Sequence, residues 1–299
     1  MTNVEGTGRP GAVEGQPSLV DRIAAYPPQE PLSAMGQDYA DRIVALGAGL
    51  HGVDHQYGEH SSQSLTVFPA AEPNGIIFVF FHGGGWTNGY KEWMYFMAPS
   101  FTARGITFVS ATYRLAPEHV FPIGLDDCAD AVAWVERELR PTLGSDTSLF
   151  IGGHSAGGHY SSLLAVTNGW RADRGLRTDL LDGVVSVSGT YRFGEGSGLS
   201  MRPRFLGADP ANDRRASPLY QLSTDSRTSF FLSYGSNDFP HLITQAEEMQ
   251  EALAAASVPV QTEIIEGRNH FDANIVCKDP NDPWVTAVVT WMEDIHRAD

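Results

Sequence analysis

The chain has 299 residues, enough to bury a sizeable core without disulfides or metals. Hydrophobic residues make up 42% and charged residues 19%, which is the composition of a folded chain and excludes wholesale disorder. The net charge of −16 repels nucleic acid and anionic membrane alike, so neither is expected as a partner.

Residues 1–17 are Gly, Pro and polar residues without period and read as a flexible tail with no apolar leader core. Ser18, with Asp21 three residues on, predicts a short capped helix. Pro27, Pro28 and Pro31 separate it from a second helix over Met35–Leu46, with Tyr39, Ile43 and Leu46 on one face. Residues 18–60 are too few for a core of their own and are expected as cap helices on a catalytic domain over 61–299. Gly47-Ala48-Gly49-Leu50-His51-Gly52 matches a dinucleotide fingerprint, but a helical pattern precedes it and none follows. It reads as a glycine-ended helix, not a cofactor site. His51, His55 and His60 lie in a polar stretch, Val53–Ser64, with no period to aim them at one point. A solvated segment without metal is expected there.

Seven apolar runs follow: Leu65–Phe68, Ile76–Phe81, Ile106–Ala111, Leu149–Gly152, Val184–Val187, Phe230–Tyr234 and Val260–Ile265. Helical periods fall between them, at Leu125–Leu139 and Ile243–Leu253, and after them at Trp284–Ile295. Continuous apolar strands alternating with helices predict an α/β fold with a mostly parallel sheet and helices on both faces. Residues 191–223, rich in Gly, Pro and Arg, break the rhythm and read as a lid insert. Half of the arginines lie between Arg171 and Arg227, and a salt-bridged surface is expected of them. Cys128 and Cys277 stand in no metal-binding spacing and read as buried thiols of a reducing cytoplasm. The longest strongly apolar run, Ile76–Phe81, is far too short to span a membrane.

Two motifs carry chemistry. Gly153-His154-Ser155-Ala156-Gly157 lies between a strand and a helix-like run, the setting of a nucleophile elbow. His82-Gly83-Gly84-Gly85-Trp86 follows the strand Ile76–Phe81, where glycines let backbone N–H groups face a cavity. A second such donor is expected at Ala156. A serine nucleophile needs a base and the base an orienting acid, in the chain order Ser, acid, His. His159 comes too early and should point away from the hydroxyl. His241 sits at a helix start and His296 at a polar end. His270, in the loop after the last strand, is the expected base. Asp238, in the loop after Phe230–Tyr234, is the expected acid. Asp225 precedes that strand at the wrong sheet edge, and Asp272 lies two residues past the base.

At these residues the chain resembles the α/β-hydrolases, and within them the hormone-sensitive-lipase-like esterases together with the kynurenine formamidase branch. His82–Trp86 resembles the shared HGGxW oxyanion motif. Tyr113–Pro122, YRLAPEHVFP, resembles the esterases' structural loop near the site. His154, where lipase-like members usually carry aspartate, resembles the formamidase elbow, as do Gly235–Asp238 and Asn269–Phe271. The resemblance implies an α/β-hydrolase fold with a small cap built from the N-terminal 60 residues and the 191–223 insert. It implies Ser155, Asp238 and His270 as the catalytic triad and the N–H groups of Gly83, Gly84 and Ala156 as the oxyanion hole. The expected activity is hydrolysis of small carboxylic esters or activated amides through an acyl-enzyme, with no cofactor. An aryl formamidase is the second reading, and a non-catalytic small-molecule receptor the third. The partner is a small-molecule substrate; a homo-oligomer stays open.

Overall fold

A run such as Ile76–Phe81 stays buried along its whole length only if both faces of its sheet are covered. In the computed structural model, which describes residues 17–144, 146–199, 201–223 and 228–298, they are. Eight strands form one sheet: β1 (Val53–Gln56), β2 (Ser64–Phe68), β3 (Ile76–Phe81), β4 (Thr107–Ala111), β5 (Ser148–His154), β6 (Gly183–Val187), β7 (Ser229–Gly235) and β8 (Val260–Ile265). Their order is β1-β2-β4-β3-β5-β6-β7-β8. Every pair from β4 to β8 is parallel, and β2 pairs antiparallel with both β1 and β4.

Alternation along β3 divides the core. Ile77, Val79 and Phe81 pack with Cys128, Val132, Leu163 and Met249, from the helices Ile123–Trp134, Ala156–Val166 and Pro240–Ala255. Ile76, Phe78 and Phe80 pack on the other side with Phe101 and with Trp284, Val288 and Met292 of the helix Pro283–Ala298. Both cysteines are free and buried in these layers. Among the described residues no helix is long and apolar enough to cross a membrane.

Two expectations need correction. An eighth strand, Val53–Gln56, lies in the stretch read as solvated and without period, beside the seven expected. As an edge strand exposed on both faces (Val53 is 54% exposed), it carries no apolar alternation for a sequence pattern to catch. Leu46 does not share the buried face of its helix. That helix, Ala34–Gly47, buries Gly36, Tyr39, Ala40, Ile43 and Gly47 instead. The helix ends ahead of Gly49, whose φ of 78° only glycine adopts cheaply, and a strand follows, which leaves no helix N-terminus for a pyrophosphate. The tail expected over 1–17 lies, apart from Pro17, outside the described residues.

The N-terminal segment is tied to the sheet by charge. Ser18 caps the helix Leu19–Ala24 in a reciprocal box with Asp21. From that helix Arg22 reaches Asp54 of β1 at 2.7 Å, the Tyr95 hydroxyl at 2.7 Å and buried Glu92 at 3.1 Å. Lys91, also buried, donates to Glu92 at 2.9 Å. The next helix, Ala34–Gly47, thereby lies across the C-terminal edge of the sheet, with Tyr39 against Trp93.

Candidate active site

In a parallel sheet the loops leaving the C-terminal strand ends converge, and four of them do so here. They follow β3 (His82–Trp86), β5 (Ser155), β7 (Asp238) and β8 (His270). Ser155 joins β5 to the helix Ala156–Val166 with φ 54° and ψ −113°, a strained conformation for a residue with a side chain. The turn is tight enough that a Cβ on Gly157 would overlap the Phe81 carbonyl oxygen, and one on Gly153 would overlap the Gly157 backbone.

The sequence-predicted residues meet in line. Ser155 Oγ–H donates to His270 Nε2 at 3.0 Å, and His270 Nδ1–H donates to Asp238 Oδ1 at 2.9 Å. A carboxylate can only accept, so the Nδ1 proton is fixed and Nε2 is left free to receive one. Asp238 is buried. Burial alone would raise its carboxyl; the bond and charge of His270, with the Ser188 hydroxyl and the Phe239 N–H, hold it below the usual range. Ser188, at the end of β6 between the strands that lead to Ser155 and Asp238, is a residue of this cluster the sequence reading missed. Its position directly after an apolar strand was the available signal.

The rejected candidates lie elsewhere. His159 accepts from Trp86 Nε1 at 3.0 Å and donates to the Ala216 carbonyl at 2.6 Å, away from Ser155. His296 bonds Ser148 at the opposite strand end. His241 stacks on Phe239 in the cavity wall. Asp272 pairs with Arg42 at 2.7 Å. Asp225 lies outside the described residues. His55 packs on Trp134 and His60 on His119, and among the described residues no group of acidic, Cys and His side chains could hold a metal.

The glycine run abuts Ser155. A Cβ on Gly83 would stand 3.3 Å from Ser155 Cβ and 2.9 Å from His154 Nδ1. Gly84, at φ 121°, turns the chain back so tightly that a Cβ would overlap the Asn88 carbonyl. Among the described residues the Gly83 and Gly84 N–H groups have no protein acceptor. Ala156 is the first residue of its helix, where the N–H has no intrahelical partner. The Tyr113–Pro122 block braces this loop: Tyr113 OH donates to the His82 carbonyl at 2.8 Å, and Ala116 N–H to the Trp86 carbonyl at 2.9 Å. Arg114 locks the block by a two-pronged bond to buried Asp127. Trp86 stacks on Phe205 at 4.4 Å, which joins the loop to residues 191–223.

Over Ser155 lies a cavity of about 520 Å³. Leu32, Trp86, Leu199, Met201, Phe239 and Phe271 give it an apolar wall; Arg204, paired with Glu30, adds a cation. The other arginines expected to be salt-bridged largely are, as in Arg192–Glu248 and Arg174–Asp130.

Three histidines around the site are buried, and burial disfavours their protonation. Burial, then repulsion from His270, lowers His154 to about 3; burial lowers His82 and His159 to about 4. As pH falls below about 6.5 the unfolded chain takes protons at these positions and the folded chain does not. Their contribution to stability is complete above about 6.5 and drains away towards the folded values. Near pH 5 the slope is about 4 kcal/mol per pH unit for the three together, since each site contributes about 1.4. Urea unfolding at pH 7.5 and at 5 should show a large loss of stability; equal stabilities would contradict the burial of these rings.

A serine, an imidazole and a carboxylate in line over the C-terminal edge of a parallel sheet, with a strand–turn–helix elbow, define an α/β-hydrolase. The model of the alpha/beta hydrolase fold family matches residues 78–272, and the chain belongs to that family. It is similar to esterase LipC of Mycobacterium tuberculosis, 27% identical over 265 residues, covering 81% of this chain and 64% of that one. It is also similar to kynurenine formamidase of Danio rerio, 26% identical over 226 residues, 73% of this chain and 74% of that one. Carboxylesterase NlhH of M. tuberculosis is 36% identical over 99 residues, and the match spans only 31% of its length. Among solved structures, esterase B from Lactobacillus rhamnosis superposes with a TM-score of 0.69 at 17% identity, covering 94% of both chains, which is a likeness of fold.

Proposed function

We propose that the chain is a serine hydrolase of small carboxylic esters or activated amides. The observation that carries this is the unbroken line from Ser155 Oγ to His270 to Asp238, 3.0 and 2.9 Å, beneath an apolar cavity. His270 Nε2 takes the Ser155 proton as Oγ attacks the carbonyl carbon. The oxyanion forms against the Gly83, Gly84 and Ala156 N–H groups. Asp238 stabilises the imidazolium, which then protonates the leaving oxygen or nitrogen. Water, activated by His270, clears the acyl-enzyme. Residues 18–60 and 191–223 act as the cap: Leu32 and Tyr39 from the first, Leu199 and Met201 from the second, line the cavity.

The cavity's apolar wall favours an ester with an acyl chain, because a formyl carbon carries only hydrogen and needs no such room. The second reading, aryl formamidase, rests on His154 before the nucleophile and on the formamidase relative, matched over 73% of this chain. Two measurements test these readings. A fluorophosphonate should label the peptide containing Ser155 and no other. Acetyl and butyryl aryl esters should turn over with kcat/KM within about tenfold of N-formylkynurenine, or better. A preference for the formamide of about a thousandfold, roughly 4 kcal/mol in barrier, would make the second reading correct. Failure to label Ser155 would overturn both.

A further inference from the structure

His154 is buried one residue before the nucleophile, and the proposed chemistry gives it nothing to do. Its bonds nonetheless end on the base. His154 Nε2–H donates to the main-chain carbonyl of His270 at 2.9 Å. A carbonyl only accepts, so the ring proton is on Nε2. The depressed pKa keeps the ring neutral, which leaves Nδ1 as an acceptor. Tyr39 OH, from the helix Ala34–Gly47, faces that nitrogen at 3.4 Å and must therefore donate. The Tyr39 oxygen in turn accepts from Asn274 Nδ2 at 2.9 Å. Each direction follows from the last, and no donor faces another donor.

The path closes on itself. Asn274 lies in the helix Asp272–Ile275, four residues after His270, and Ala273 N–H is tied back to the Asn269 carbonyl at 3.0 Å. The base loop is thus held at two points, His270 O and Asn274, by a bridge through a cap helix to the end of β5. All three bridging side chains are buried. Ser155 immediately follows β5, so the strand end that leads into the nucleophile also sets the main-chain position of the base.

We propose that His154 is a positioning residue for His270, and that Tyr39 and Asn274 complete its hold. This rests on the serine-hydrolase reading above. Loss of the Nε2–H donor frees the His270 carbonyl and lets the imidazole drift from Ser155; a misplacement of about 1 Å costs on the order of a hundredfold in rate. His154 does not touch the reacting atoms, so substrate binding should be spared.

The test compares His154→Gln, whose amide nitrogen reaches where Nε2 stands, with His154→Asn, whose amide stops near Nδ1, and with His154→Leu, which has no donor. Tyr39→Phe removes only the hydroxyl. Ser155→Ala is run beside them on one aryl ester, with thermal unfolding as a check on the fold. His154→Leu and His154→Asn should lower kcat about thirty- to a hundredfold with KM within about threefold. His154→Gln should recover kcat to within about fivefold of the parent. Tyr39→Phe, at the longest bond, should cost about three- to tenfold. The inference falls if a folded His154→Leu keeps kcat within threefold, or if Gln is no better than Asn. Should the His154 variants fail to fold, an unchanged kcat in Tyr39→Phe overturns it and a three- to tenfold loss supports it. Activity surviving in Ser155→Ala would instead overturn the reading of the site itself.

Discussion

Ser155→Ala should abolish turnover, with kcat falling about 10⁴- to 10⁶-fold while the chain stays folded. The variant removes one oxygen and leaves the rest of the site standing. His270 keeps its bond to Asp238, and the Gly83, Gly84 and Ala156 N–H groups keep their aim. A comparable loss follows removal of the nucleophile in other serine hydrolases, where members of a triad act as a unit. What survives comes from the oxyanion donors and from binding. Alanine can also hold φ 54° and ψ −113° at the same strain as serine, so stability should hardly move. Steady-state kinetics on an aryl ester with a matched thermal melt measures both. More than a few per cent of residual activity, with contamination excluded by a fluorophosphonate titration, would mean that the hydroxyl above the elbow is not the nucleophile.

Much of this site was legible because its chemistry is local. Gly153–Gly157 and His82–Trp86 announce themselves through backbone demands that few sequences meet, and each directly follows an apolar strand. β3 and β8 lie within the bounds that their apolar runs predict, and the other five differ by one or two residues at an end. Asp238 and His270 could be expected beside Ser155 because a parallel sheet delivers its loops to one edge, which turns chain order into geometry. The rest had no local signature. β1 is an exposed edge strand of four residues, held by pairing with β2. Ser188 bonds a residue 50 positions away, and Tyr39 bonds residues 115 and 235 positions away. His154 looked like a branch marker of the elbow, and its contact with the His270 carbonyl spans 116 positions. Periodicity reports which face is buried; it does not report which buried polar atom meets which.

Asp238→Asn should lower kcat about a thousandfold, and the reason it is not more lies in the partners of each carboxylate oxygen. Oδ1 accepts from both His270 Nδ1–H at 2.9 Å and the Phe239 N–H at 2.6 Å. A main-chain N–H cannot reverse, so the asparagine oxygen must stay at that position, with its amide group turned to Ser188. The Ser188 hydroxyl, which now donates to Oδ2, can rotate to accept. The His270 tautomer is therefore kept, and only the negative charge that stabilises the imidazolium is lost. Where asparagine also imposes the wrong tautomer the cost is about 10⁴. Ser188→Ala in the asparagine background removes the amide's partner and should deepen the loss towards that figure. Asp272→Asn, by contrast, breaks only the ion pair with Arg42, which is 43% exposed, and should leave kcat within about threefold. The three variants, measured on one aryl ester at one pH, separate the two carboxylates near His270. If Asp272→Asn is the crippling change, the acid has been assigned to the wrong loop although the serine chemistry stands.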